Sequence, residues 1–276
     1  MQYAPSMNAY RYPTVFLSHG TPMHAFGEDA YQNSISNFSA SFPKPKAIVF
    51  VTSHAVSSEH VLILKTEKNS IRHDFSGFPK ELYDIQYSCP GDMELADKIE
   101  ERFKVAGFKT LMEYTVPLDH AVWIPLMHLY PKGDVPVTRV SLPVNLEPAQ
   151  ILKMGHTLAS LREQGYLIVS SGGAVHNMRE IKWAEKQGAG HEYARHFEEF
   201  IVLALQNKDV EAILHSDELP FFKSSHPTLE SFNPLVFAVG ATLVGDNVNI
   251  IFRGIEYGSL SMLCFSLNHA QTQPLH

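Results

Sequence analysis

The chain has 276 residues, of which 45% are hydrophobic and 18% are charged, so it can bury a sizeable core without disulfide bonds. Its formal charge of −7, without a cluster of Lys or Arg, argues against nucleic-acid binding and against a polybasic membrane patch, and small molecules are the expected partners. Only Cys89 and Cys264 occur, and no signal-peptide pattern or membrane-length apolar run is present, which predicts a protein of the reducing cytoplasm.

Strand and helix signals alternate along the chain. Strands are predicted in the runs that begin at Thr14, Ala47 and Leu167, and at Val61–Leu64, Pro136–Leu142, Val248–Phe252 and Leu260–Leu267. Helices are predicted at 28–42 (in part), 93–106, 120–130, 148–164, 190–206, 210–215 and 231–243. The stretch 70–92 is long, polar and aromatic, and loops of that length are usually functional or mobile. No repeat or linker divides the chain, which predicts one α/β domain over residues 1–276, with its core at about 13–267.

Three of the apolar runs each end in small residues followed by a histidine. These histidines are His19, His54 and His176. Strands of a parallel sheet present ligands just beyond their carboxyl ends, so the three can meet in one crevice although they lie far apart in the chain. Two such histidines side by side are natural ligands for Fe²⁺ or Zn²⁺. The sequence therefore predicts a metal site at this edge.

Two more positions allow alternative functional interpretations. His176 follows a Gly-Gly turn and could serve as a metal ligand or as a general acid/base. Asp119 and His120 precede an amphipathic segment. Asp119 could be a helix N-cap beside a buried histidine, or the pair could act on substrate as an acid/base or binding group.

Several short strings resemble the class III extradiol ring-cleavage dioxygenases, most of all their 4,5-DOPA dioxygenase branch. They occur in order and at plausible spacing between about residues 13 and 267: Phe16 to Met23, Ser53-His54, His73 to Pro79 with Leu82-Tyr83, Leu118 to Trp123, Ser171 to Asn177, and Gly258 to Met262. The resemblance implies a single α/β domain around a central mixed, mostly parallel sheet flanked by helices. It also implies one non-haem Fe²⁺, with Zn²⁺ in its place in some members, and a catechol and dioxygen as substrates.

Carried over by position, the resemblance makes His19 and His54 metal ligands. It makes His176 the histidine that handles protons during ring cleavage, and His120 a further active-site histidine that contacts catechol or oxygen. The aromatic residues Phe75, Phe78 and Tyr83 are expected to enclose the substrate ring, although core packing explains such residues about as often.

The third metal ligand departs from the family pattern, because Ser231 stands where the bacterial branch has a histidine. Residues i and i+4 share a helix face, so His226 or Glu230 could reach the same metal, with His226 preferred. Two other functions remain open at this point: a zinc-dependent hydrolase and a non-catalytic metal-binding relative. The sequence indicates no oligomeric state.

Overall fold

The computed structural model describes residues 10–27 and 29–269. Strands in these residues are β1 (Thr14–Ser18), β2 (Ala47–Ser57), β3 (Val61–Leu64), β4 (Lys68–Asn69), β5 (Cys89–Pro90), β6 (Thr110–Glu113), β7 (Val137–Pro143), β8 (Tyr166–Gly172), β9 (Asp246–Phe252), β10 (Ile255–Glu256), β11 (Leu260–Ser261) and β12 (Cys264–His269). The α-helices are α1 (Ala30–Ala40), α2 (Met93–Val105), α3 (His120–Leu129), α4 (Pro148–Leu158), α5 (Glu192–Gln206), α6 (Val210–Leu214), α7 (Phe222–Ser225) and α8 (Asn233–Gly240).

Eight of the strands form one mixed sheet in the order β6-β3-β7-β2-β8-β1-β12-β9. The four central strands, β7, β2, β8 and β1, are parallel to one another. Antiparallel pairing occurs toward the edges, where β12 joins β1 and β9, and where β3 joins β7. This arrangement confirms the predicted α/β fold with a mixed, mostly parallel sheet.

Helices cover both faces of the sheet, because alternate residues of each central strand point to opposite sides. In β2, Val49 and Val51 belong to the core beneath α2, α4, α5 and α8. Ile48 and Phe50 of the same strand belong to the core beneath α1 and α3. Strands buried on both faces read as continuous apolar runs, which is why the sequence shows them so plainly.

The element boundaries differ from the predicted ones in a few places. The helix predicted at 148–164 is α-helical only to Leu158, and Ala159–Gln164 continues it as a 3₁₀ helix. The strand predicted at Leu260–Leu267 is divided between β11 and β12. The helix predicted at 231–243 is shorter, as α8, and Glu28, where the first helix was predicted to begin, lies outside the described residues. The short strands β4, β5, β6 and β10 and the short helix α7 were not predicted.

A buried ion pair ties the antiparallel edge of the sheet to the rest of the fold. Arg162 Nη1 lies 2.6 Å from Asp246 Oδ2, and neither side chain is accessible to solvent. The same guanidinium donates to the carbonyl oxygens of Tyr12, Ala241 and Leu267, so its donors are satisfied inside the protein. Among the described residues, no helix combines the length and the apolar character that a membrane crossing needs.

Candidate metal centre

His19 is positioned by the parallel pairing of β1 with β8. It follows Ser18 at the end of β1, and its backbone N–H donates to the carbonyl of Gly172 at the end of β8, with N···O 3.1 Å. The imidazole is buried, and its Nδ1 lies 3.2 Å from Ser171 Oγ, which leaves Nε2 for another partner. Burial, together with the neighbouring histidines, lowers the pKa of His19 well below its usual value, so the ring is neutral and suited to bind a metal.

His54 lies in the last part of β2, beyond the regular pairing with β7, which ends at Thr52. Its Nδ1 is 3.1 Å from Oδ1 of Asp119, a carboxylate that is inaccessible to solvent. Burial lowers the pKa of His54, but the hydrogen bond and charge of Asp119 and the charge of Asp74 outweigh it and raise that pKa above its usual value. A carboxylate on one ring nitrogen orients an imidazole so that the other nitrogen can bind a metal.

Asp119 also confirms the predicted helix cap. It is the N-cap of α3, and its Oδ1 accepts the backbone N–H of Ala121 at 3.1 Å. The same oxygen therefore caps the helix and contacts His54. His120 is the first residue of α3, and its ring lies beside that of His54, so the role of the pair toward substrate stays a prediction.

Asp74 binds His120 from the long 70–92 loop. Its Oδ1 lies 3.0 Å from His120 Nδ1 and accepts the backbone N–H of His120 at 2.9 Å. Its Oδ2 lies 3.8 Å from His54 Nδ1. Burial would raise the pKa of Asp74, but the hydrogen bonds and charge of His120 lower it to about 2, so this residue is a carboxylate at neutral pH.

His176 reaches the cluster from the turn that follows β8. Its backbone N–H donates to the carbonyl of Ser225, with N···O 2.9 Å, which anchors the end of the Gly-Gly turn. The pKa of His176 is lowered to about 4, mainly by burial and in addition by the charges of His54 and His120. The ring is therefore neutral at pH 7 and can accept a proton.

These four histidines surround one point at the carboxyl edge of the parallel strands. Ring centroids are 5.3 Å apart for His19 and His54, 5.3 Å for His19 and His176, 6.0 Å for His19 and His120, and 4.9 Å for His54 and His120. The structure thus brings together four of the five histidines that the sequence singled out.

The donors present suit a transition metal. One donor atom each from His54, Asp74 and His120 lies within 4.8 Å of the others. Two imidazoles and one carboxylate are the donor set of non-haem Fe²⁺ oxygenases, and Zn²⁺ accepts the same donors. The neutral ring of His19 lies beside this group and adds a third imidazole.

Apart from an electrostatic interaction with His176, His226 makes its contacts outside this cluster, which speaks against the prediction that it completes the metal site. Its Nε2 is 2.8 Å from the carbonyl oxygen of Ala174, and its ring packs against Phe197, Phe222 and Phe232. Burial lowers its pKa to about 3. His226 and Glu230 do not share a helix face, because α7 ends at Ser225 with His226 as its C-cap and α8 begins only at Asn233.

Aromatic side chains of the 70–92 loop extend from the cluster toward the surface. The ring centroid of Phe75 lies 5.7 Å from that of His120, 5.5 Å from Phe78 and 5.2 Å from Tyr83. Phe78 also lines a cavity of about 520 Å³, together with Met23, Ser76, Gly77, Trp183 and Tyr257. The three aromatic residues expected to enclose the substrate are therefore contiguous with the histidines.

Asp74 is the residue of the site that sequence reasoning missed. Its signal was present, because an acid directly after His73 in a long aromatic loop is an available metal ligand. No periodicity places such a loop, so the contact with His120 could only be seen in the folded chain. Asp119 was recognised as a cap, whereas its contact with His54 was not.

Comparison with known proteins gives matches over most of this chain. A family model described as the catalytic LigB subunit of aromatic ring-opening dioxygenase matches residues 13–260. The chain is 33% identical over 264 residues to a protein of Escherichia coli (strain K12) named 4,5-DOPA dioxygenase extradiol, covering 93% of this chain and 95% of that protein. It is 33% identical over 258 residues to a protein of the same name from Beta vulgaris, covering 90% of this chain and 93% of the other.

A solved structure has the same fold. It is a crystal structure of an uncharacterized protein from Escherichia coli K12, with a TM-score of 0.80 and 27% sequence identity. The alignment covers 94% of this chain and 100% of that one.

Proposed function

This chain belongs to the family of the catalytic LigB subunit of aromatic ring-opening dioxygenases and is an extradiol ring-cleavage enzyme; from that premise we propose that it opens the ring of a catechol such as DOPA with dioxygen, at a site that would hold the redox-active ion Fe²⁺ and whose donors would also accept Zn²⁺. The observation that supports this most is the meeting of His19, His54, His120 and His176 at one edge of the sheet. The expected site of action is the cytoplasm.

The residues that would hold the metal are His19 and His54, with Asp74 as third ligand in place of His226. Asp74 is a carboxylate at neutral pH, its Oδ1 is hydrogen-bonded to His120, and its Oδ2 lies 3.8 Å from His54 Nδ1. His120 is the alternative imidazole ligand, because its donor atom belongs to the same 4.8 Å group. Fe²⁺ with this donor set would supply the electron transfer between catechol and dioxygen that ring opening requires.

His176 is the proton acceptor of the reaction. A catechol must lose protons from its hydroxyl groups as it binds, and a neutral imidazole at the edge of the site can take one. With a pKa of about 4, His176 is unprotonated before the substrate arrives. The same group can return the proton to the ring-opened product.

His120 positions an oxygen atom of the substrate. Its Nδ1 is held by Asp74, which fixes the ring and leaves Nε2 as the atom that can form a hydrogen bond inside the site. Phe75 packs edge-on against this imidazole, and with Phe78 and Tyr83 it forms an apolar wall for the catechol ring.

Metal retention tests the ligand assignment. The proteins to compare are wild type, His19→Ala, His54→Ala, Asp74→Asn and His226→Ala, each loaded with Fe²⁺ without oxygen and then freed of unbound metal. The first three variants are expected to lose the metal, and His226→Ala to keep it. His215→Ala is the matched control, because the His215 side chain is 64% exposed. Full metal content in His54→Ala would overturn the proposed site.

Ring cleavage tests the proposed reaction. The Fe²⁺-loaded protein is mixed with DOPA, protocatechuate, caffeate and catechol in air, and the yellow ring-opened product is followed by absorbance. We expect colour with at least one of these catechols and none with the metal-free protein. No product from any of them would overturn the proposal.

A further inference from the structure

Aromatic rings lead without a break from the histidine cluster to the protein surface. Beyond the contact of His120 with Phe75, the centroid of Phe78 lies 5.5 Å from Phe75 and 5.9 Å from Trp183. Trp183 in turn lies 5.4 Å from Tyr257. The outermost ring, Trp183, is 53% exposed, which is unusual for the largest apolar side chain.

Trp183 is placed at the surface by the backbone that carries it. The Lys182 N–H donates to the carbonyl of Tyr257 at 2.8 Å, and the Tyr257 N–H donates to the carbonyl of Lys186 at 3.2 Å. Tyr257 has a φ of 49°, a left-handed conformation that a bulky side chain rarely adopts. Two separate segments are thus fixed, and Trp183 packs edge-on against Phe78 of the 70–92 loop in the lining of the cavity.

The lining of the cavity carries no charge. Its residues are Met23, Ser76, Gly77, Phe78, Trp183 and Tyr257. The two lysines nearest in sequence to Trp183 are both paired, since Lys182 Nζ lies 3.6 Å from Glu185 and Lys186 Nζ lies 2.9 Å from Asp29. The lining therefore offers no opposite charge to a carboxylate or ammonium group placed in this cavity.

From these contacts we infer that Trp183 and Phe78 form a second subsite, which binds an uncharged, planar apolar substituent on the catechol ring. The inference rests on the proposed function, because the ring itself must lie against the histidines and Phe75. With this subsite, a catechol that carries an aryl or arylalkyl group should bind better than DOPA, whose side chain ends in an ammonium and a carboxylate. Trp183 determines specificity and takes no part in the chemistry.

Binding without oxygen tests the subsite. Metal-loaded wild type and Trp183→Ala are titrated by calorimetry under nitrogen with 4-benzylcatechol, catechol and DOPA, so that no cleavage occurs. Loss of one aromatic contact should lower the affinity for 4-benzylcatechol roughly tenfold. The affinities for catechol and DOPA should fall less than about twofold. Trp183→Phe should recover most of the loss, because it restores an aromatic face.

Phe221→Ala is the matched control, since Phe221 is also an exposed aromatic residue, at 37%, and contacts His196 rather than the cavity. It should bind all three ligands as wild type does. The subsite is overturned if Trp183→Ala lowers the affinity for all three ligands equally, or lowers none of them. It is also overturned if the wild-type protein binds 4-benzylcatechol no better than catechol. If the expected pattern appears but air yields no ring-opened product, the subsite stands and the proposed reaction fails.

Discussion

Asp119→Asn separates the two roles of a buried carboxylate, which caps α3 and contacts His54. Asparagine keeps an oxygen that can cap α3, and caps of Asn and Asp are nearly equivalent. It removes the negative charge 3.1 Å from His54 Nδ1. The fold is therefore preserved while the orientation and basicity of the proposed metal ligand change.

The expected loss of metal affinity follows from the position of Asp119. Carboxylates that hold a metal-binding histidine are worth about 10-fold to 100-fold in metal affinity, or about 1.4 to 2.7 kcal/mol. Asp119 is inaccessible to solvent, so water does not screen its charge from His54. The loss should therefore lie in the upper half of that range. The pKa of His54 in the metal-free protein should fall, because Asp119 raises it.

The assay is competition for Zn²⁺ with a chromophoric chelator at pH 8, together with proton NMR titration of the histidines. Asp92→Asn is the control, because Asp92 caps α2 through Leu95 N at 2.9 Å and contacts no histidine of the cluster. An unchanged Zn²⁺ affinity in Asp119→Asn, or an equal loss of Zn²⁺ affinity in Asp92→Asn, would refute this role of Asp119.

Three further outcomes are expected. His176→Ala should retain its metal and lose turnover by roughly two to four orders of magnitude, as measured by product absorbance, whereas an unchanged rate would remove this residue from the mechanism. His226 has a pKa of about 3 against a usual 6.5, so its neutral form stabilises the fold above pH 6.5 and this contribution is lost as the pH falls toward 3. His226→Phe should therefore flatten the fall of the free energy of unfolding below pH 6.5 in urea titrations, and an unaltered pH profile would contradict this. Arg162→Met leaves Asp246 buried without its partner and should lower the free energy of unfolding by about 3 to 5 kcal/mol, against at most about 1 kcal/mol for Lys44→Met in an exposed pair; similar losses in both would refute the distinction.

The convergence of the histidines was predictable because it depends on the sheet. His19, His54 and His176 follow apolar runs that only a doubly covered parallel sheet explains, and parallel strands bring their carboxyl ends to one edge. His120, which no strand positions, was singled out from the Asp119-His120 pair, and the resemblance to the extradiol family assigned it to the active site. The family assignment is confirmed by the match over residues 13–260.

The rest of the site depends on contacts that have no local pattern. Asp74 lies in a loop without periodicity, and its place beside His120 follows from how that loop packs. His226 was preferred as a ligand because a continuous helix was assumed, whereas the chain breaks between α7 and α8 and three phenylalanines surround the ring. Trp183 is likewise set by backbone pairing between segments about 70 residues apart.

The stoichiometry of oxygen uptake tests the central proposal most directly. Fe²⁺-loaded protein is mixed with a limiting amount of the catechol that gives most product, in an oxygen-electrode cell with simultaneous absorbance and mass measurement. The proposal predicts one dioxygen consumed for each catechol, and a product heavier than the catechol by both oxygen atoms. Catechol consumed without oxygen uptake, or a product that has gained water instead, would contradict it and indicate a metal-dependent hydrolase.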